Sequence, residues 1–238
     1  MKRIFIILSA IIILGYCFDS CKKDKYANVS SQNMDFQYFP LKKGDSIIYK
    51  VDSIKYNVVT NLIDTYQYFV LQYIQDTFTD GSGRLAYRLN RLWKREPLDS
   101  WTQAGVWQEQ LVGSSAQTVE ENIRYERLVF PIANGISWNG NAYNNIDTNQ
   151  WYNYNYVNAF KPWSGAYKSY DSTVTIMQIN TDSTSPNNFN YVYRLYGYEV
   201  YAANVGLVYK IFTYANHSST QITGYGEIMT IQYCSYHK

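Results

Sequence analysis

Between Tyr38 and Tyr236 the chain carries no amphipathic helical period longer than about three turns, while apolar and polar residues alternate at the two-residue period of strands in segment after segment. Ile47, Tyr49 and Val51 alternate with Ile48, Lys50 and Asp52 after a turn marked by Pro40 and Gly44. Residues 64–79 and 84–94 are two long β-rich runs joined by Asp80-Gly81-Ser82-Gly83, which predicts an antiparallel hairpin. Its glycines are no phosphate cradle, because a strand and not a helix follows them. Further strands are expected over residues 106–112, 122–130, 151–157, 171–180, 191–200, 205–214 and 222–236. The fold class is therefore all-β: a single antiparallel curved sheet or barrel-like domain, since long twisted strands protect their edges best by curling closed. A two-sheet β-sandwich is the alternative.

The start of the chain has a different logic. Lys2 and Arg3 precede a small or apolar run over residues 4–14, followed by Ser20-Cys21-Lys22-Lys23-Asp24. A spanning helix needs about 20 apolar residues, so this run is too short to span. A core helix is disfavoured, because the run is apolar on every face. The pattern predicts an export signal over residues 1–20 ending at a lipid-attachment cysteine, Cys21. Cys17 fits less well, because Tyr16 would stand immediately before the cleaved bond. Residues 21–36, rich in Lys, Ser, Asn and Gln, read as the lipidated start and a flexible tether, and residues 37–238 as the β domain.

The Ser20–Asp24 junction resembles the start of mature outer-membrane lipoproteins of Bacteroidota-type bacteria. The opening Tyr38-Phe39-Pro40-Leu41-x-x-Gly44, the stretch Trp138-Asn139-Gly140-Asn141 and the segment Val205-Gly206-Leu207-Val208-Tyr209-Lys210 resemble a group of such lipoproteins with no assigned activity. The resemblance implies a lipid anchor in the outer membrane, on its periplasmic or its surface side, and a shared fold. It implies no reaction. Asn204 stands where glycine is expected, and asparagine tolerates the positive φ of a turn. Within the chain, Phe39-Pro40-Leu41-x-x-Gly44 echoes Phe130-Pro131-Ile132-x-x-Gly135, three identities that are too few to define a repeat.

Chemistry is constrained by what is scarce. Without residues 1–20 the chain keeps 19 basic and 18 acidic side chains, so no electrostatic case exists for nucleic acid. With Cys17 removed and Cys21 acylated, Cys234 stands alone and no intrachain disulfide can form. Histidine occurs only as His217 and His237, neither well placed as the oriented base of a triad, and no zinc-like cluster or cofactor motif exists. Glu120-Glu121 point to opposite faces of a strand and read as a solvated edge. Glu109, Glu126, Glu199 and Glu227 are strand carboxylates that sequence alone cannot bring together.

Trp151, Tyr152, Tyr154 and Tyr156 are candidate ligand contacts, because rings stack on sugar faces while the interleaved amides bond hydroxyls. In a chain with 26 tyrosines, however, a core-facing stripe is the stronger reading. The expected function is a non-catalytic ligand-binding or accessory domain of the cell envelope, meeting the membrane through its lipid and a glycan, lipid or envelope protein through its domain. The first alternative is a hydrophobic-ligand carrier, which requires an aliphatic inward face. The second is a carboxylate-dependent glycan hydrolase, which requires two acids at one groove, one with a raised pKa.

Overall fold

The computed structural model describes residues 34–57, 59–60, 62–145, 153–184, 192–217 and 222–235. The expected export signal over residues 1–20, the expected lipidation site Cys21, and Trp151, Tyr152 and His237 lie outside the described residues. Residues 33–238 form one unit. Its strands are β1 (Ser46–Asn57), β2 (Leu62–Thr79), β3 (Leu85–Lys94), β4 (Thr102–Val112), β5 (Ser115–Glu120) and β6 (Ile123–Val129) in the first half. The second half holds β7 (Ser137–Asn139), β8 (Asn153–Ser164), β9 (Ser169–Thr184), β10 (Val192–Ala202), β11 (Gly206–His217) and β12 (Ile222–Cys234). Among the described residues the one helical element is a 3-10 turn over Phe36–Tyr38.

All twelve strands belong to one antiparallel sheet, nearly closed into a barrel, in the order β6-β5-β4-β3-β2-β1-β12-β11-β10-β9-β8-β7. The all-β, barrel-like expectation is met, and the sandwich is not what forms. Each strand pairs with its chain neighbour except β6 with β7, and β1 pairs with β12. The seam of this meander therefore falls in mid-chain. Strand β1 shows why the register is firm: Tyr49 and Val51, both buried, face Val70 and Tyr68 on one side and Ile231 and Met229 on the other. A slip by one residue would turn that whole set outward. The β2–β3 hairpin is pinned at its turn, where the Asp80 carboxylate accepts from the backbone N–H groups of Ser82 and Arg84, each at 2.9 Å.

Side chains and single backbone bonds bridge the β6/β7 seam. Glu126 N–H donates to the Gly140 carbonyl at 2.9 Å, and Trp138 Nε1 donates to the Glu126 carbonyl at 3.0 Å. The Tyr156 hydroxyl accepts from Val129 N–H at 3.1 Å and donates to the Val129 carbonyl at 2.8 Å. The sequence echo acquires a position here: one copy leads into β1 and the other into β7, the first strand of each six-strand half. Gly44 (φ 92°) and Gly135 (φ 83°) make the two turns in the left-handed region.

The segment from Met34 to Leu41 closes one end of the barrel. Tyr38 and Phe39 are buried with Phe130, Ile132, Trp138, Tyr154 and Tyr156 in one apolar cluster. Polar ties fix the plug: Tyr38 and Ser172 hydroxyls lie 2.6 Å apart, Asp35 accepts from Ile132 N–H at 3.1 Å, and Asn204 N–H donates to the Gln37 carbonyl at 2.7 Å. Asn204 itself has φ 60°, as its place in the β10–β11 turn requires.

Candidate functional site

Twelve strands enclose an interior too wide for side chains to fill uniformly. The plug and two apolar clusters pack much of the interior, and cavities remain beside them, lined in part by members of both clusters such as Phe39 and Met229. A first cavity of about 440 Å³ has Phe39 and Pro40 in its lining, with aliphatic walls from Ile47, Ile74, Leu89, Leu207 and Met229. The rest of the lining is largely ionic: Arg91, Glu109, Glu120, Arg127, Glu199, Lys210 and Glu227. A second cavity of about 550 Å³ shares Glu120, Arg127, Lys210 and Glu227 with the first and reaches Tyr225, which is 58% exposed and marks an opening to solvent. Tyr68 and Arg91 also line a third cavity, bounded by the exposed rings of Tyr66 and Trp93. The first cavity thus adjoins the second through Glu120, Arg127, Lys210 and Glu227 and the third through Tyr68 and Arg91.

Arg127, on β6, is the hub. Its guanidinium is ion-paired to Glu120 of β5, donates from Nε to Thr118 Oγ1 at 3.1 Å, and reaches across the interior to Glu199 of β10 at 3.4 Å. Burial works against its charge, but Glu120 and Glu199 outweigh that and hold it firmly protonated. Glu199, 2% exposed, also accepts from the Tyr201 hydroxyl at 2.8 Å. Lys210 of β11 pairs with Glu227 of β12 at 3.5 Å. The Arg91 guanidinium carbon sits over the Trp107 indole, 3.5 Å from its ring centroid.

The two carboxylates at the centre are tuned apart. Burial raises Glu120, but Arg127 and the more distant Lys210 more than reverse this, so it stays below its ordinary value. Glu109 on β4 is pushed up to about 8, by removal from bulk water and by the charge of Glu120, against the weaker pull of Arg127. Desolvation and Glu227 likewise push the Tyr68 hydroxyl up to about 12. Glu109 borders the cavity yet makes no hydrogen bond or ion pair among the described residues. Two further polar groups on these walls lack hydrogen-bond partners among the described residues: Arg91 Nε and Gln178 Nε2. No three His, Cys, Asp or Glu side chains among the described residues are grouped to hold a metal ion.

Of the sequence candidates, Glu109, Glu199 and Glu227 converge on this ionic lining, whereas Glu126 contributes its backbone to the seam. Glu120, expected at a solvated edge, is instead the buried partner of Arg127, with 18% of its side chain exposed. Its neighbour Glu121 does face outward, in a turn, where it accepts from Trp107 Nε1 at 3.2 Å. Tyr154 and Tyr156 form no open stacking face: both are buried against Trp138, with ring centroids 5.9 and 4.8 Å away. Tyr154 alone of the two borders a cavity. Cys234 ends β12, half-buried beside an apolar cluster.

Sequence reasoning missed Arg91, Arg127 and Lys210 as site residues. The available signal was their alternation phase with Leu89, Tyr125 and Val208, but no sequence feature tells a wet interior face from a solvent face.

No family model matches the chain, and no curated protein matches it. Two solved structures do. One is a predicted exported protein with a YMCC-like fold from Bacteroides fragilis, at 11% identity and a TM-score of 0.41, covering 83% of this chain and 98% of its own. The other is a predicted lipoprotein from Parabacteroides distasonis, at 12% identity and a TM-score of 0.46, with the same coverage of each chain.

Proposed function

We propose that this chain is a cell-envelope lipoprotein, anchored in the outer membrane through Cys21, whose barrel-like sheet binds a small ligand in its interior without transforming it. The observation that carries the reading is the ionic lining. Taking charges out of water costs several kcal/mol per ion, and pairing commonly does no more than offset that cost, so a purely structural interior would be expected to use aliphatic fill. Here the walls carry unmatched hydrogen-bonding groups around open space, the common character of a small-molecule site. An acyl chain suits only the aliphatic part of the lining and would leave the ionic part unsolvated, which argues against the hydrophobic carrier. The direct test is native mass spectrometry of the full chain, expressed with its own leader and released in mild detergent. A discrete added mass that is lost on denaturation supports the reading, and a clean apo mass, together with no binding from a compound library, defeats it. The anchor has its own test: Cys21→Ser should move the protein from the membrane fraction to the soluble envelope fraction.

One observation favours a second reading. Glu109, raised to about 8, stands near Glu120, which is held low, and such divergence is the signature of an acid and a base. Against it, the carboxylates line an enclosed interior and not a groove open along a glycan chain. Loss of all turnover of glycan substrates on Glu120→Gln would support the hydrolase; absence of turnover in the unaltered chain removes it.

A further inference from the structure

We propose that the first cavity takes a small organic cation, a protonated amine or guanidinium on a partly apolar body, with Glu109 as its counter-ion. The inference rests on the ligand-binding reading above and names the class of ligand.

The first argument is charge. Five acidic side chains line this cavity, Asp45, Glu109, Glu120, Glu199 and Glu227, against three cations, Arg91, Arg127 and Lys210; Glu109 holds its proton in the empty site at neutral pH and becomes the fifth negative charge when a cation arrives. A space so lined repels an anion and is relieved by a positive charge. The second is valence. Glu120 and Glu199 are engaged by Arg127, and Glu227 by Lys210, whereas Glu109 borders the cavity with no hydrogen bond or ion pair among the described residues. Once it gives up its proton it presents acceptors without donors, and an ammonium or guanidinium group supplies the donors and the charge that keeps it ionised. The third is the alternative cation. A bare metal ion needs several ligands converging on one point, and no three acidic, histidine or cysteine groups among the described residues do so. The fourth is shape. About 440 Å³ falls in the range of small-molecule sites, and the aliphatic part of the lining, Ile47, Ile74, Leu89 and Met229, suits an apolar body carried with the charged group.

The experiment uses the full chain in mild detergent and measures binding by calorimetry and native mass spectrometry. The probes are tyramine and agmatine as cations, with 4-hydroxyphenylacetate and tyrosol, which keep the ring of tyramine but end in an anion and a neutral hydroxyl. The expected result is binding of tyramine or agmatine at least about tenfold tighter than either control, and loss of about tenfold or more in Glu109→Gln, as removal of a close charge partner implies. Glu109→Asp, which keeps the charge, should retain most of the binding. Two results overturn the proposal while leaving the ligand-binding reading intact: the anion or the neutral probe binding as tightly as the amine, or amine binding indifferent to Glu109→Gln. If no probe binds and no co-purified mass is found, both fall together.

Discussion

Glu109 offers the sharpest test of the interior, because an isosteric change should stabilise the protein at one pH and do nothing at another. With its carboxyl pushed up to about 8 against an ordinary 4.5, the folded chain holds a proton that the unfolded chain has released between those values. Where the folded state binds more protons, stability falls as pH rises. The loss therefore begins near pH 4.5, accumulates up to about pH 8 and is complete above it. At about 1.4 kcal/mol per pH unit the ceiling is ~5 kcal/mol. Water in the cavity that Glu109 borders screens its charge, so an effect of about 1–3 kcal/mol is the working figure. Glu109→Gln keeps the shape and removes the titration. Urea unfolding between pH 5 and 9 should show the variant level with the parent at pH 5 and about 1–3 kcal/mol more stable at pH 8.5. Glu120 acts with the opposite sign, since its lowered pKa contributes stability above the unfolded value that is lost on acidification. It is unchanged in the variant and cancels from the comparison. A variant no more stable than the parent at pH 8.5, or destabilised equally at every pH, would refute the placement of an unpaired, desolvated carboxyl at this site.

Three further outcomes follow from the same geometry. Arg127→Met should cost about 3–5 kcal/mol in urea unfolding, because Glu120 and Glu199 lose their shared buried cation, and adding Glu120→Gln and Glu199→Gln should restore part of it. Tyr156→Phe removes the hydroxyl that both accepts from and donates to Val129 across the β6/β7 seam, and should cost about 1–3 kcal/mol and speed amide exchange at Val129. Gly224→Ala should be more damaging than its half-buried position suggests: φ is 138° and the added Cβ would sit 2.1 Å from the Tyr214 carbonyl oxygen, so a loss of about 2 kcal/mol or more in thermal unfolding is expected.

The strands most legible in the sequence were those with one apolar face. β1 alternates cleanly because Tyr49 and Val51 pack inward while Lys50 and Asp52 do not, and the β2–β3 hairpin was marked by its Asp-Gly-Ser-Gly turn. β5 was invisible. Its sequence, Ser-Ala-Gln-Thr-Val-Glu, is mostly polar, yet Ser115, Gln117 and Thr118 are buried. Four successive residues, Ser115 to Thr118, are buried, so both faces of the strand are covered and its burial has no alternation for the sequence to show. Polar residues turned inward also hid the site. Glu120 resembles a surface carboxylate until Arg127 is placed opposite it, and Val106 on β4 is exposed while Glu109 on the same strand borders the cavity. The tyrosine stripe is core-facing, the reading that the abundance of tyrosine favoured: Tyr156 spends its hydroxyl on the Val129 backbone across the seam, and Tyr154 is buried against Trp138.

Why the interior is ionic follows from the distance it has to span. An eight-stranded barrel can be filled by side chains from its own wall, whereas a wider one must leave a lumen or find something to cross it. In this sheet the end at the plug is filled by a segment from outside the strand order, residues 34–41, together with Trp138, Tyr154 and Tyr156. Further along no such segment enters among the described residues, and the crossing is made by Arg127 of the first half reaching Glu199 of the second, 72 positions on in the chain. A long guanidinium held by carboxylates on two walls props the sheet open where aliphatic side chains would let it collapse or leave a dry void. The prop leaves room beside it, and Glu109 borders that room. On this view the stability of the barrel and the chemistry of its cavity are one network. Variants of Arg127 should therefore lose ligand binding and stability together, while Glu109→Gln should separate them.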